Sequence, residues 1–143
     1  MLLVYNMNEI EVIALNENTA YWFEMAEYDL ETAKAMLSTK RYLYVAFMCH
    51  QTIEKTLKAV IAETNDGSEP PKTHNLIRLS ELSKLMDLFS PQQKKFITLL
   101  TPMNIEARYT AYKDLVAAGL TDEKCALLIK ETEDFYLWIK QKL

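Results

Sequence analysis

Cys49-His50-Gln51-Thr52-Ile53-Glu54-Lys55-Thr56-Leu57-Lys58 is the stretch on which the fold turns. Gln51, Glu54, Lys55 and Lys58 fall at i, i+3, i+4 and i+7, the spacing that puts four side chains on one stripe of a helix. Leu43, Ala46, His50, Ile53, Leu57, Val60 and Ile61 form the neighbouring apolar face, with His50 as its polar member. A bundle helix needs only the apolar face. The second stripe predicts a helix that packs and also presents polar chemistry.

Outward from this helix the pattern stays helical. Half of the 143 residues are hydrophobic and only two are glycine, a composition that favours helices over a turn-rich β fold. A first helix is expected from a cap at Asn18 to about Ser38, burying Trp22, Ala26, Leu30, Ala33 and Leu37, with Glu24, Glu27 and Glu31 on a solvated side. The second runs from Tyr42 to Glu63 and ends at Asn65-Asp66-Gly67-Ser68-Glu69-Pro70-Pro71, a run of turn formers short enough to join antiparallel helices. A third helix after Thr73-His74-Asn75 places Leu76, Leu79, Leu82, Leu85 and Met86 or Leu88 on its apolar face. Ser90-Pro91-Gln92-Gln93 reads as a capping box opening a fourth helix that runs to about Thr101, where Pro102 stops it. The segment Met103 to Gly119 carries no clear period. Thr121 caps a last helix whose buried face is Cys125, Leu128, Ile129, Thr132, Phe135, Tyr136 and Ile139. Leu127 and Trp138 lie off that face and are candidates for an interface between subunits. The chain is therefore all-α, an up-and-down bundle of about five helices.

Charge and composition restrict the function. A net charge of −4 argues against long-range capture of a nucleic-acid backbone and leaves room only for a local basic pocket. Cys49 and Cys125 read as reduced core thiols. Met1 to Leu15 lacks the basic start of a secretory signal, and no apolar run reaches the ~18 residues of a membrane span, so the expected location is the cytoplasm, away from any membrane. Metal ligation is discarded, because adjacent Cys49 and His50 diverge by about 100° on a helix and one histidine with Glu54 makes a poor site. No cofactor is expected.

The polar residues that remain allow two readings. Glu54 and Lys58 form an i,i+4 ion pair one turn after His50, which either satisfies a buried histidine or orients Lys55 or Lys58 toward a phosphate. Arg108, one of three arginines, stands beside Tyr109 and near Tyr112; its planar fork suits phosphate and the rings suit a base, although it equally suits an ion pair with Glu54 or Glu106.

Three blocks together resemble the HEPN family. They are Ala26-Glu27-Tyr28-Asp29-Leu30 with Ala33; His50-Gln51 through Glu54-Lys55 to Leu57-Lys58-Ala59; and Thr73-His74-Asn75-Leu76 continued by Glu106-Ala107-Arg108-Tyr109. The resemblance implies a five-helix homodimer over residues 18–143, preceded by an arm, 1–17, of no assigned role. It also implies a role in nucleotide or RNA biology, often beside a small nucleotidyltransferase in a toxin–antitoxin-like pair. Ribonucleases of the family carry an arginine followed within a few residues by histidine. Here Tyr109, Thr110, Ala111, Tyr112, Lys113, Asp114 and Leu115 follow Arg108, with no histidine downstream, and Thr110 stands where relatives commonly have proline. The implied ligand-facing groups are Arg108, Tyr109, Lys58, Lys55 and His50, supported by Glu54, His74 and Gln51, with Asn75 and Gln51 equally suited to bind backbone. The leading expectation is a non-catalytic protein that binds a nucleotide or RNA end. The alternatives are a divergent metal-independent endoribonuclease, its missing imidazole supplied by His74 or across the dimer, and an interaction module with no small ligand.

Overall fold

The computed structural model describes residues 3–5, 12–104 and 118–143. Two short strands, β1 (Leu3–Tyr5) and β2 (Val12–Ala14), pair antiparallel with Val4 opposite Ile13. The helices follow as α1 (Glu17–Ser38), α2 (Tyr42–Thr64), α3 (Leu76–Leu82), a 3₁₀ turn (Met86–Leu88), α4 (Pro91–Leu100) and α5 (Asp122–Lys140). The helical part is the expected all-α bundle.

The ends of α1 and α2 fix their antiparallel packing. At one end the chain reverses through Lys40, whose φ of 60° lets the Arg41 N–H reach the Met36 carbonyl at 2.8 Å. At the other, the Asn16 N–H donates to Glu63 and the Asn18 amide donates to the Gly67 carbonyl. Gly67 has φ +81°, and a Cβ there would run into the Asn16 side chain, so this contact requires glycine. The α1 cap is Asn16, two residues before the expected Asn18: its Oδ1 accepts the Asn18 N–H at 2.9 Å. With the helix starting earlier, Phe23, Ala26, Leu30 and Ala33 form the buried stripe, and Trp22 and Leu37 are only half-buried.

α2 is the central helix, packing on α1, α3, α4 and α5. α5 runs parallel to it, since Tyr42 meets Asp122 and Cys125 at their starts, and antiparallel to α1, since Lys34 bridges Glu133 and Glu27 receives Tyr136 and Lys140. The expected caps hold: Ser90 and Gln93 form a reciprocal capping box, and Thr121 accepts the Lys124 N–H. The buried face of α5 is the expected set from Cys125 to Ile139. α3 is shorter than its leucine spacing suggests. It stops at Leu82, where the Ser83 hydroxyl bonds back to the Ser80 carbonyl and Lys84 takes φ 62°, and the apolar run resumes as the 3₁₀ turn with Leu88 exposed.

Candidate functional site

The polar stripe of α2 is not a solvent face. α1 lies along it and the α2–α3 loop closes over it, so Glu54 and Lys58 are buried and Lys55 is half-buried. Charges inside a protein persist only when paired, and each of these is. Lys55 meets Asp29, a buried carboxylate on α1. Lys58 Nζ donates to Glu54 Oε2 at 3.2 Å and lies 5.5 Å from the centroid of the Trp22 ring, also on α1. Burial is affordable here because the two acids and two lysines balance.

Glu54 is the hub. Its other oxygen, Oε1, stands 2.9 Å from His74 Nδ1 and 3.9 Å from His50 Nδ1. An ionised carboxylate can only accept, so His74 donates to it from Nδ1, on a side chain that is 58% exposed. His74 is held in place by its own loop. Thr73 Oγ1 accepts the Asn75 N–H, and Asn75 caps α3 by accepting from Ile77 and Arg78, so the residue after His74 is fixed at a helix start. A buried carboxylate that orients one nitrogen of a largely exposed imidazole is an arrangement suited to proton transfer or to hydrogen bonding with a ligand.

The candidates named from sequence divide clearly. His50, Glu54, Lys58 and His74 come together, with Lys55 on the same helix paired to α1 and Gln51 half-buried one turn earlier. Both lysines are matched to carboxylates. Neither is a surplus charge for phosphate. Arg108 and Tyr109, with Tyr112, lie outside the described residues. Asn75 binds backbone. Leu127 is exposed, but Trp138 is half-buried against Phe89 and Phe135, at centroid distances of 5.8 and 6.0 Å, so the two do not form one exposed patch.

Two residues at the site were not singled out from sequence. Asp29 falls in phase with Ala26, Leu30 and Ala33, and a carboxylate on a buried stripe requires a cation, a signal that leads to Lys55. Trp22 reads equally as core, and only the packing of α1 against α2 sets it beside Lys58.

The remaining chemistry is restricted. Burial pushes the Cys49 thiol up to about 12 and raises Cys125 as well, which makes both poor nucleophiles. Among the described residues no group of three or more His, Cys, Asp or Glu is placed to hold a metal ion, and no helix is long and apolar enough to cross a membrane.

Comparison with known proteins places this arrangement. Neither the curated proteins nor the solved structures gave a significant match. A family model described as HEPN domain matches residues 19–142, from the first turn of α1 to the end of α5. The span includes α2 with its buried stripe, the His74 loop and the Arg108 segment, and the chain belongs to the HEPN family.

Proposed function

We propose that this HEPN protein is a non-catalytic homodimer that binds a nucleotide or an RNA end and acts with a nucleotidyltransferase partner in a toxin–antitoxin-like pair. The observation that carries the reading is the Glu54 hub, which holds an exposed imidazole and a buried ammonium in one fixed cluster beside an indole ring. Such a cluster suits a ligand with a flat base and an anionic end. Because Lys55 and Lys58 are already neutralised, Arg108 supplies the charge for phosphate and His74 Nε2 meets a ribose or phosphate oxygen. Equilibrium titration of ATP, GTP and a short single-stranded RNA tests this. Saturable binding abolished by Arg108→Ala in a folded protein supports it, and absence of heat with every ligand moves the role to a pure interaction module.

One observation favours a second reading. The Glu54–His74 pair supplies the imidazole missing after Arg108, as a metal-independent endoribonuclease would need. RNA incubated with the protein in EDTA separates the two: cleavage lost in both His74→Ala and Arg108→Ala identifies an enzyme, and intact RNA leaves the binding role.

A further inference from the structure

A cavity of about 340 Å³ opens between the start of α4 and the middle of α5, and none of its lining residues belongs to the Glu54 cluster. Phe96, Phe135 and Trp138 line it together with Glu131 and Asp134. The three rings are anchored in the core: Phe96 and Phe135 are buried, and Phe135 lies 5.9 Å from Phe96 and 6.0 Å from Trp138, centroid to centroid. The apolar wall is therefore in place before any ligand arrives. Its volume is at the small end of ligand sites, roughly 300–1,000 Å³.

The two carboxylates differ. Asp134 is 63% exposed and bridged to Lys130 in open solvent, so it is free to exchange partners. Glu131 is half-buried, and among the described residues it has no hydrogen bond or ion pair. No lysine or arginine lines the cavity among those residues. A carboxylate drawn partly out of water without a donor is a demand for a cation. An anion would meet two like charges here, and a neutral apolar molecule would strip Glu131 of the water it keeps. A cation with an apolar body satisfies both walls. The indole already attracts one from the chain itself, since Lys142 Nζ stands 4.7 Å from the Trp138 centroid. Glu131 and Asp134, three residues apart on α5, have Cβ atoms about 5–6 Å apart, the reach of two ammonium groups joined by a short methylene chain.

We infer that this cavity binds an aliphatic diamine or polyamine, with one ammonium on Glu131, the methylene chain against the aromatic rings and a second ammonium on Asp134. The site is separate from the nucleotide reading and stands or falls without it. Isothermal titration of the full chain with putrescine and with spermidine at low salt tests it, with circular dichroism melts to show that each variant is folded. One saturable site is expected, and ammonium chloride, which has no methylene chain, should not fill it. Glu131→Gln should weaken binding about ten-fold, the loss of a charge-assisted hydrogen bond. Glu24→Gln removes the same charge from an exposed position on α1 and should change nothing. Gln92→Lys, at an exposed residue of the cavity wall, sets a fixed ammonium beside the site and should abolish binding. Absence of heat with both amines would overturn the inference. So would equal weakening by Glu131→Gln and Glu24→Gln, which would reduce the effect to general attraction by an acidic protein, or ammonium binding as tightly as putrescine, which would leave the rings without a part.

Discussion

Glu54–Lys58 on α2 and Lys130–Asp134 on α5 are the same local device, an acid and a lysine four residues apart, bridged at 3.2 and 2.9 Å. Their surroundings are opposite. The first pair is 4% and 7% exposed and the second 63% and 72%. Water already solvates the α5 pair, so its members are free to exchange partners. The α2 pair has no water to return to, so Glu54 must keep every donor it has. One spacing thus gives a fixed hub in one helix and an adaptable surface in the other.

Breaking the buried pair should have the largest effect. Lys58→Met leaves the Glu54 carboxylate buried with its histidine alone, and should lower the free energy of unfolding by about 3–5 kcal/mol. Glu54→Gln/Lys58→Met, which removes both charges, should recover most of that loss. Urea denaturation checks both, and a single variant within error of wild type would mean that Glu54 is solvated after all.

Next comes the clamp between α1 and α5. The Tyr136 hydroxyl donates to Glu27 Oε1 at 2.6 Å, with Lys140 at 3.2 Å on the same oxygen. Burial opposes the Glu27 charge, and the Tyr136 and Lys140 contacts outweigh it, holding the carboxyl below its ordinary value. Tyr136→Phe should cost about 1–2 kcal/mol, measured by thermal unfolding near neutral pH. The depressed carboxyl gives stability that is present above its unfolded value and lost as pH falls through its folded one. The difference between wild type and Tyr136→Phe should therefore shrink in acid.

An effect absent near neutral pH emerges at high pH. The Cys49 thiol is favoured in its neutral form, so the unfolded chain loses that proton first, and stability should fall as pH rises from 9.0 toward about 12. Urea midpoints across that range should decline steadily; a flat profile would place Cys49 in contact with solvent. Smallest of all, Lys130→Ala should leave the melting temperature nearly unchanged, because both members of the α5 pair are already solvated. A clear loss of stability would mean that the α5 pair, like the α2 pair, is held by the fold.

The helices were legible because their signals are local. Ser90 with Gln93, Thr121, and the Cys125 to Ile139 spacing each depend on neighbours within a few residues, and all three are found as read. The reading fell short where the deciding contact is distant: Asn16 rather than Asn18 caps α1, and the Asn18 amide instead donates to the Gly67 carbonyl. That Trp138 is half-buried likewise depends on Phe89, far off in the sequence. The candidate site divides in the same way. The Glu54–Lys58 pair is visible in the spacing. That His74 closes on the free oxygen of Glu54 depends on the path of a loop, and that Asp29 and Trp22 complete the cluster depends on the face α1 turns toward α2.

The claim at the centre of this account is that Glu54 fixes His74 with Nε2 facing a ligand. With only two histidines in the chain, long-range nitrogen–proton NMR of the imidazoles reads this directly. Neutral His74 should carry its proton on Nδ1, and a short single-stranded RNA should shift the Nε2 resonance of His74 while leaving that of buried His50 in place. A proton on Nε2 of His74, or an Nε2 signal indifferent to saturating RNA, would contradict it.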